Sequence, residues 1–194
     1  MSTTLLALAF LLLQCAFIWA RYAIFRTDGP TPWVVRGIEA SATASIVAGA
    51  WLIIERHVGT EPLFDVLALL MVATSAAIFA WAVRSIQPRQ LSVAFSPDAP
   101  VELLRLGAYS FVRNPFYLAY MLGFAMPAVA SRSWWGVLPA AWMAGIYWRA
   151  ACAEERKFLG GPLAEEYRCY CAATGRFLPR LPWPAKPKGA RHGH

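Results

Sequence analysis

Charge is what this sequence has least of. Asp, Glu, Lys and Arg make up only 15% of its 194 residues, against about a quarter in soluble domains. Long polar segments are missing as well. Once about five apolar stretches of roughly 20 residues are set aside, too little chain is left for a separate soluble catalytic domain of about 100 residues. The four cysteines, Cys15, Cys152, Cys169 and Cys171, form no C-x-x-C pair, and the three histidines have no spacing that completes a zinc set. No metal site is expected, and the cysteines read as reduced, incidental thiols. There is no Gly-x-Gly-x-x-Gly after a strand, which excludes a nucleotide site of the soluble Rossmann type. No basic n-region precedes the apolar run 3–20, so that run reads as a retained span and not as a cleaved signal.

What is present is apolar. Hydrophobic residues make up 58% of the chain and the mean hydropathy is +0.44, which predicts an all-α integral-membrane bundle of about five transmembrane helices. The spans are expected at 3–25, 37–54, 62–83, 116–130 and 134–151. Asp28-Gly-Pro-Thr-Pro32 breaks the chain after the first. The second is rich in Ala, Ser and Gly, which allow close helix approach in lipid. A charged, amphipathic helix is expected over 152–174, on the cytosolic side, interrupted at Gly160-Gly161-Pro162. Residues 1–180 then form one membrane-embedded domain, and 181–194 a basic, proline-rich, disordered tail. Most of the nine tryptophans fall near span ends and read as an interfacial belt. Glu39 and Asp65, also near span ends, read as wetted.

The net charge of +7 does not describe a nucleic-acid face. Sixteen of the 18 Lys and Arg residues fall in the first loop, the third loop or the C-terminal segment, against Arg56 and Arg132 in the others. That asymmetry predicts an N-terminus outside and places the third loop and the C-terminal segment in the cytosol.

Those two segments also hold the chemistry. The third loop ends in Arg113-Asn114-Pro115. Pro115 suits the first turn of a helix, where the donor it lacks has no partner anyway, so Arg113, Asn114 and the free amides crowd a helix N-terminus that favours an anion. The second cluster is Glu154-Glu155, only three or four residues after the apolar run of the fifth span. Carboxylates at that depth are poorly solvated and require a partner or a ligand. Arg149 lies five residues before Glu154, a poor intrahelical spacing, so both are free to face something else. Glu165 and Glu166 read as part of a solvated charged helix.

The run Gly107-Ala-Tyr109 to Arg113-Asn-Pro115-Phe-Tyr117, followed by Glu154-Glu155, Glu166-Tyr167, Tyr170 and Gly175-Arg-Phe-Leu-Pro179-Arg180, resembles the isoprenylcysteine carboxyl methyltransferase and phospholipid N-methyltransferase superfamily of integral-membrane enzymes. The likeness covers about 106–180. It implies S-adenosylmethionine as methyl donor, bound by Tyr109, Arg113, Asn114, Pro115 and Tyr117 with Glu154 or Glu155 at its polar end. It further implies Arg149, Glu154 and Glu155 as catalytic residues, Arg149 in the position of a substrate-carboxylate arginine. Asn114 stands where the superfamily usually has His, and Asn bonds as donor and acceptor but does not titrate near neutrality.

The expected reaction is transfer of a methyl group to an amphiphilic or apolar acceptor, a carboxylate or an amine, at a cytosolic site open to the bilayer. The implied partners are the lipid bilayer and a lipophilic or lipidated acceptor, with no nucleic acid and no metal. Tyr109, Tyr117, Tyr167 and Tyr170 offer faces to a sulfonium, and an amine acceptor would need Glu154 or Glu155 as base. The competing readings are a non-catalytic membrane scaffold or transporter with the same fold, and a sterol-reductase-like membrane enzyme.

Overall fold

Apolar runs uninterrupted by Pro or Gly breakers fold as long helices here. The computed structural model of the chain describes residues 3–26, 33–56, 61–86, 91–92 and 103–180. Helices α1 (Thr3–Ala23), α2 (Trp33–Ile54) and α3 (Pro62–Ile86) are each long and apolar enough to cross a bilayer, and α4 (Pro115–Ser131) is a shorter apolar helix of 17 residues. Helix α5 (Val137–Leu159) follows a single 3-10 turn at Trp134–Gly136 and is itself followed by the short α6 (Ala164–Ala173). The expected break at Gly160-Gly161-Pro162 separates these last two. There is no break at residue 152: α5 carries its charged C-terminal third on the same continuous helix as its apolar part. The only strand pairing among the described residues is a two-residue parallel contact, Phe25–Arg26 with Leu91–Ser92. The Asp28–Pro32 break, most of the third loop and the tail read as disordered all lie outside the described residues.

Helix α4 is the centre of the bundle and packs against α1, α2, α3 and α5. Its inward face, Phe116, Ala119 and Tyr120, meets Phe17 of α1 and Phe79 of α3. The Phe17 and Tyr120 rings stand edge-to-face at 4.6 Å, and Phe79 and Phe116 at 5.7 Å, a geometry that adds to simple area burial. The expected role of small residues is visible at Gly49 of α2, where a Cβ would lie 2.8 Å from the Pro127 ring of α4. Away from these seams large apolar side chains point outward. Leu12 is 68% exposed and Val47 65%, an arrangement that only lipid makes favourable.

One expectation fails. Asp65 is not wetted: its side chain is 2% exposed and sits 2.6 Å from Arg56, which also donates to the Ala130 carbonyl. A carboxylate in the first turn of α3 faces the core of the bundle, so desolvation demands the counter-charge that Arg56 supplies. Arg132 and Glu61 approach within 3.7 Å. Glu39 keeps a third of its exposure and pairs with Arg21 at 2.9 Å.

Candidate active site

The chain returns from the third loop through a tight turn. Gly107 has φ +60°, which a side chain rarely tolerates, and a Cβ there would collide with Ser85 of α3. With no side chain at residue 107, the Ser85 hydroxyl accepts the Ala108 amide at 2.9 Å. Tyr109 follows, and its carbonyl accepts the Tyr170 hydroxyl of α6 at 2.6 Å. The Gly-x-Tyr motif and the tyrosines of the C-terminal segment are thus parts of one joint.

A second joint lies beside it. The Arg113 amide donates to the Gly175 carbonyl at 2.8 Å and the Asn114 amide to the Arg176 carbonyl at 3.2 Å. A Cβ on Gly175 would fall 1.8 Å from the Leu178 carbonyl oxygen, so the segment after α6 closes on itself only with glycine there. The Arg113 guanidinium donates to the Thr174 carbonyl and, at 3.4 Å, to that of Cys171.

Glu155 is the hub of this joint. Its carboxylate accepts Nε and Nη2 of Arg113 (both 3.2 Å), Nδ2 of Asn114 (3.4 Å), and Nε and Nη2 of Arg176 (3.0 and 2.8 Å). Burial alone would raise its pKa, but Arg176 and Arg113 outweigh that and hold the carboxyl below its ordinary range. Arg176 in turn stacks 4.8 Å from the Trp148 ring of α5.

Glu154, its neighbour, points elsewhere, since successive helical residues are rotated by about 100°. The apolar part of α5 ends at Ala151, and Glu154 lies one turn beyond it. Its Oε1 accepts the Tyr117 hydroxyl at 2.5 Å. No Arg lies against it among the described hydrogen bonds and ion pairs. Burial therefore dominates and pushes its carboxyl up to about 7, with the Tyr117 hydroxyl and Lys157 drawing it only part of the way back. Two adjacent glutamates, one saturated and one barely compensated, are held in opposite charge environments.

Tyr117 also lines a partly open cavity of about 230 Å³ between α1, α2, α4 and α5. Its ring stacks on Tyr147 at 5.6 Å, and Tyr120, Phe124, Phe17 and Gln14 continue the wall deeper into the bundle. The Arg21–Glu39 pair lies at the same end of the bundle as Tyr117. This hydroxyl is the bridge between an apolar chamber and the carboxylate of Glu154.

The structure therefore brings together Tyr109, Arg113, Asn114, Pro115, Tyr117, Glu154 and Glu155 around one end of α4. Pro115 occupies the first turn of α4, but Asn114 makes no side-chain cap there and turns to Glu155 and the Arg176 carbonyl. Arg149 is not brought in: it is exposed on α5, and no hydrogen bond or ion pair among the described residues ties it to the others. Glu165 and Glu166 are exposed, paired with Arg168 and Arg105, as a solvated helix face requires. Sequence reasoning missed Arg176, although a carboxylate so near the hydrocarbon calls for more than one donor. It also missed the chamber residues Gln14, Tyr120 and Tyr147, which no local motif marks.

The fold is thus a bundle of long apolar helices with a buried carboxylate, Glu154, beside a chamber between them. A family model for phospholipid methyltransferase matches residues 63–164, more than half of the chain, from the start of α3 through α5 to the start of α6. The chain belongs to the phospholipid methyltransferase family and is an integral-membrane methyltransferase. No curated protein matches it.

Proposed function

We propose that this protein transfers the methyl group of S-adenosylmethionine to an amphiphilic or apolar acceptor, a carboxylate or an amine, in the manner of the isoprenylcysteine carboxyl methyltransferases. The observation that carries this reading is the Tyr117–Glu154 pair, 2.5 Å apart, which joins the chamber to the polar end of the bundle.

The residues fit the donor. When bound, it supplies a methyl group made electrophilic by a sulfonium. A cation of that kind is matched by the Glu154 carboxylate, which accepts the Tyr117 hydroxyl, and by the flanking faces of Tyr109 and Tyr117. The donor's own carboxylate is matched by the first turn of α4 beyond Pro115, where amides point out of the helix and the dipole is positive. Arg113, Asn114, Glu155 and Arg176 bind one another and keep that helix end rigid against α6. They act on the donor by position and not by spare hydrogen bonds.

Burial in the bundle excludes water and holds acceptor and donor in line, which is most of what a displacement at carbon needs. A carboxylate acceptor requires no base. For an amine, Glu154 takes the proton from nitrogen, a task suited to a carboxyl titrating near 7. Residues 1–180 form one membrane-embedded methyltransferase domain. The chain crosses the membrane several times with the site in the cytosol, a reading that rests on the distribution of Lys and Arg.

The test is transfer of labelled methyl from S-adenosylmethionine, catalysed by the purified protein, into the total lipid and small apolar acids of a membrane extract. Label in a product stable to mild base indicates an amine acceptor, and base-labile label a carboxylate. No transfer above that of a protein-free control refutes the reading and leaves the scaffold.

A further inference from the structure

We propose that the chamber beside Tyr117 takes an elongated apolar acceptor bearing a second, hydrogen-bond-accepting oxygen remote from the methylated group, and that Gln14 is the residue that reads this oxygen. The proposal rests on the methyltransferase reading above and names the acceptor class for the same site.

Gln14 lines the chamber from α1 and is 2% exposed. Its Nε2 has no hydrogen-bond partner. A buried amide left unpaired in an apolar setting is costly, and nothing in the helix packing requires a glutamine there: its buried neighbours on α1 are Phe10, Leu13 and Phe17. Three of the other polar lining groups have charged or carbonyl partners, and the hydroxyls of Tyr22, Tyr120 and Tyr147 also line the chamber. Arg21 faces Glu39, Thr43 donates to the Glu39 carbonyl at 2.9 Å, and Tyr117 donates to Glu154. An amide nitrogen only donates, so the group that completes Gln14 must accept: a carbonyl, ether or hydroxyl oxygen on the ligand.

Two helices give the same depth. Gln14 lies seven residues from Arg21 on α1, and Phe124 lies seven residues from Tyr117 on α4. All four line the chamber, and seven residues of helix span about 10 Å. A molecule with its reacting group beside Tyr117 and Glu154 therefore reaches Gln14 with an atom about 10 Å further in. A plain acyl chain would leave the amide unpaired, whereas a chain oxygenated at that distance would satisfy it.

Two probe pairs test this with the full chain in lipid nanodiscs: decanoate against 9-oxodecanoate, and decylamine against 10-aminodecan-2-one. In each, the ketone lies at the matching distance from the ionisable end. In at least one pair the ketone should bind about 3- to 10-fold more tightly to the wild-type protein, the worth of one neutral hydrogen bond. Gln14→Leu and Gln14→Met should abolish the preference while still binding the plain probe. Equal affinities within both pairs for the wild type overturn the proposal, as does a preference that survives both substitutions. S-adenosylmethionine titrated into the same wild-type sample separates the two levels. Donor binding without ketone preference overturns the acceptor class alone, and no donor binding overturns both.

Discussion

Glu155→Gln removes one charge from the joint that holds the C-terminal segment to α4. Five N–H groups from Arg113, Asn114 and Arg176 converge on this carboxylate, so the amide turns donors against donors and leaves two guanidiniums without a counter-charge. Breaking a buried ion pair by removing one partner costs about 3–5 kcal/mol. Glu155 and Arg113 are each 9% exposed but Arg176 is 29% exposed, which favours the low end, about 3 kcal/mol. For a chain of this size that lowers the melting temperature by about 6–12 °C. With the exposed Cys15 and Cys169 replaced by serine in both proteins, a thiol-reactive dye reads the transition, because Cys171 is half-buried and its carbonyl is one of those held by Arg113. The pH dependence supplies a second readout. The folded carboxyl titrates below its ordinary value of 4.5, so its contribution is fully present at neutral pH and is lost as pH falls below about 5 toward the folded value. The gap between wild type and variant should therefore close on acidification. Equal melting temperatures at pH 7, or a gap that persists unchanged to pH 4, would refute the assignment of Glu155 as the hub.

Tyr117→Phe removes the hydrogen bond that favours ionised Glu154, so Glu154 should titrate still higher. Donor affinity strengthens as that carboxyl ionises, and its midpoint on a calorimetric pH series should move upward from about 7; an unmoved midpoint contradicts the pairing. Gly175→Ala places a methyl against the Leu178 carbonyl and should lower the melting temperature and methyl transfer together. A variant as stable and active as wild type would show that the segment does not close as described.

The helices were legible because membrane spans are written in long apolar runs, and the break at Gly160-Gly161-Pro162 because three consecutive weak helix formers fall where the apolar run has already ended. The helix runs on past residue 152 because nothing between Ala151 and Leu159 disfavours it, and only its solvent changes. At the site, sequence brought out Arg113, Asn114, Tyr117 and the two glutamates but not their division of labour. Glu154 and Glu155 are chemically identical, and only their directions on α5, toward Tyr117 or toward Arg113 and Arg176, give one a raised and the other a lowered pKa. Arg149 looked equally suited on spacing and faces outward. Asp65 read as wetted because its partner Arg56 lies nine residues earlier, in the polar turn between α2 and α3, and no helical spacing announces their 2.6 Å contact. Gln14 was one polar residue in an apolar run, and its meaning depends on three other helices that line the space beside it.

The central claim is that the buried carboxylate of Glu154, only partly compensated by Tyr117 and Lys157, grips the cationic methyl donor. Isothermal titration of S-adenosylmethionine into the wild-type protein and Glu154→Gln, from pH 6 to pH 8, measures it directly. Wild-type affinity should rise through about pH 7, where burial has set that carboxyl, by up to roughly tenfold per unit on the acid side, while the variant binds weakly at every pH. Tight, pH-independent binding by both proteins would contradict the account.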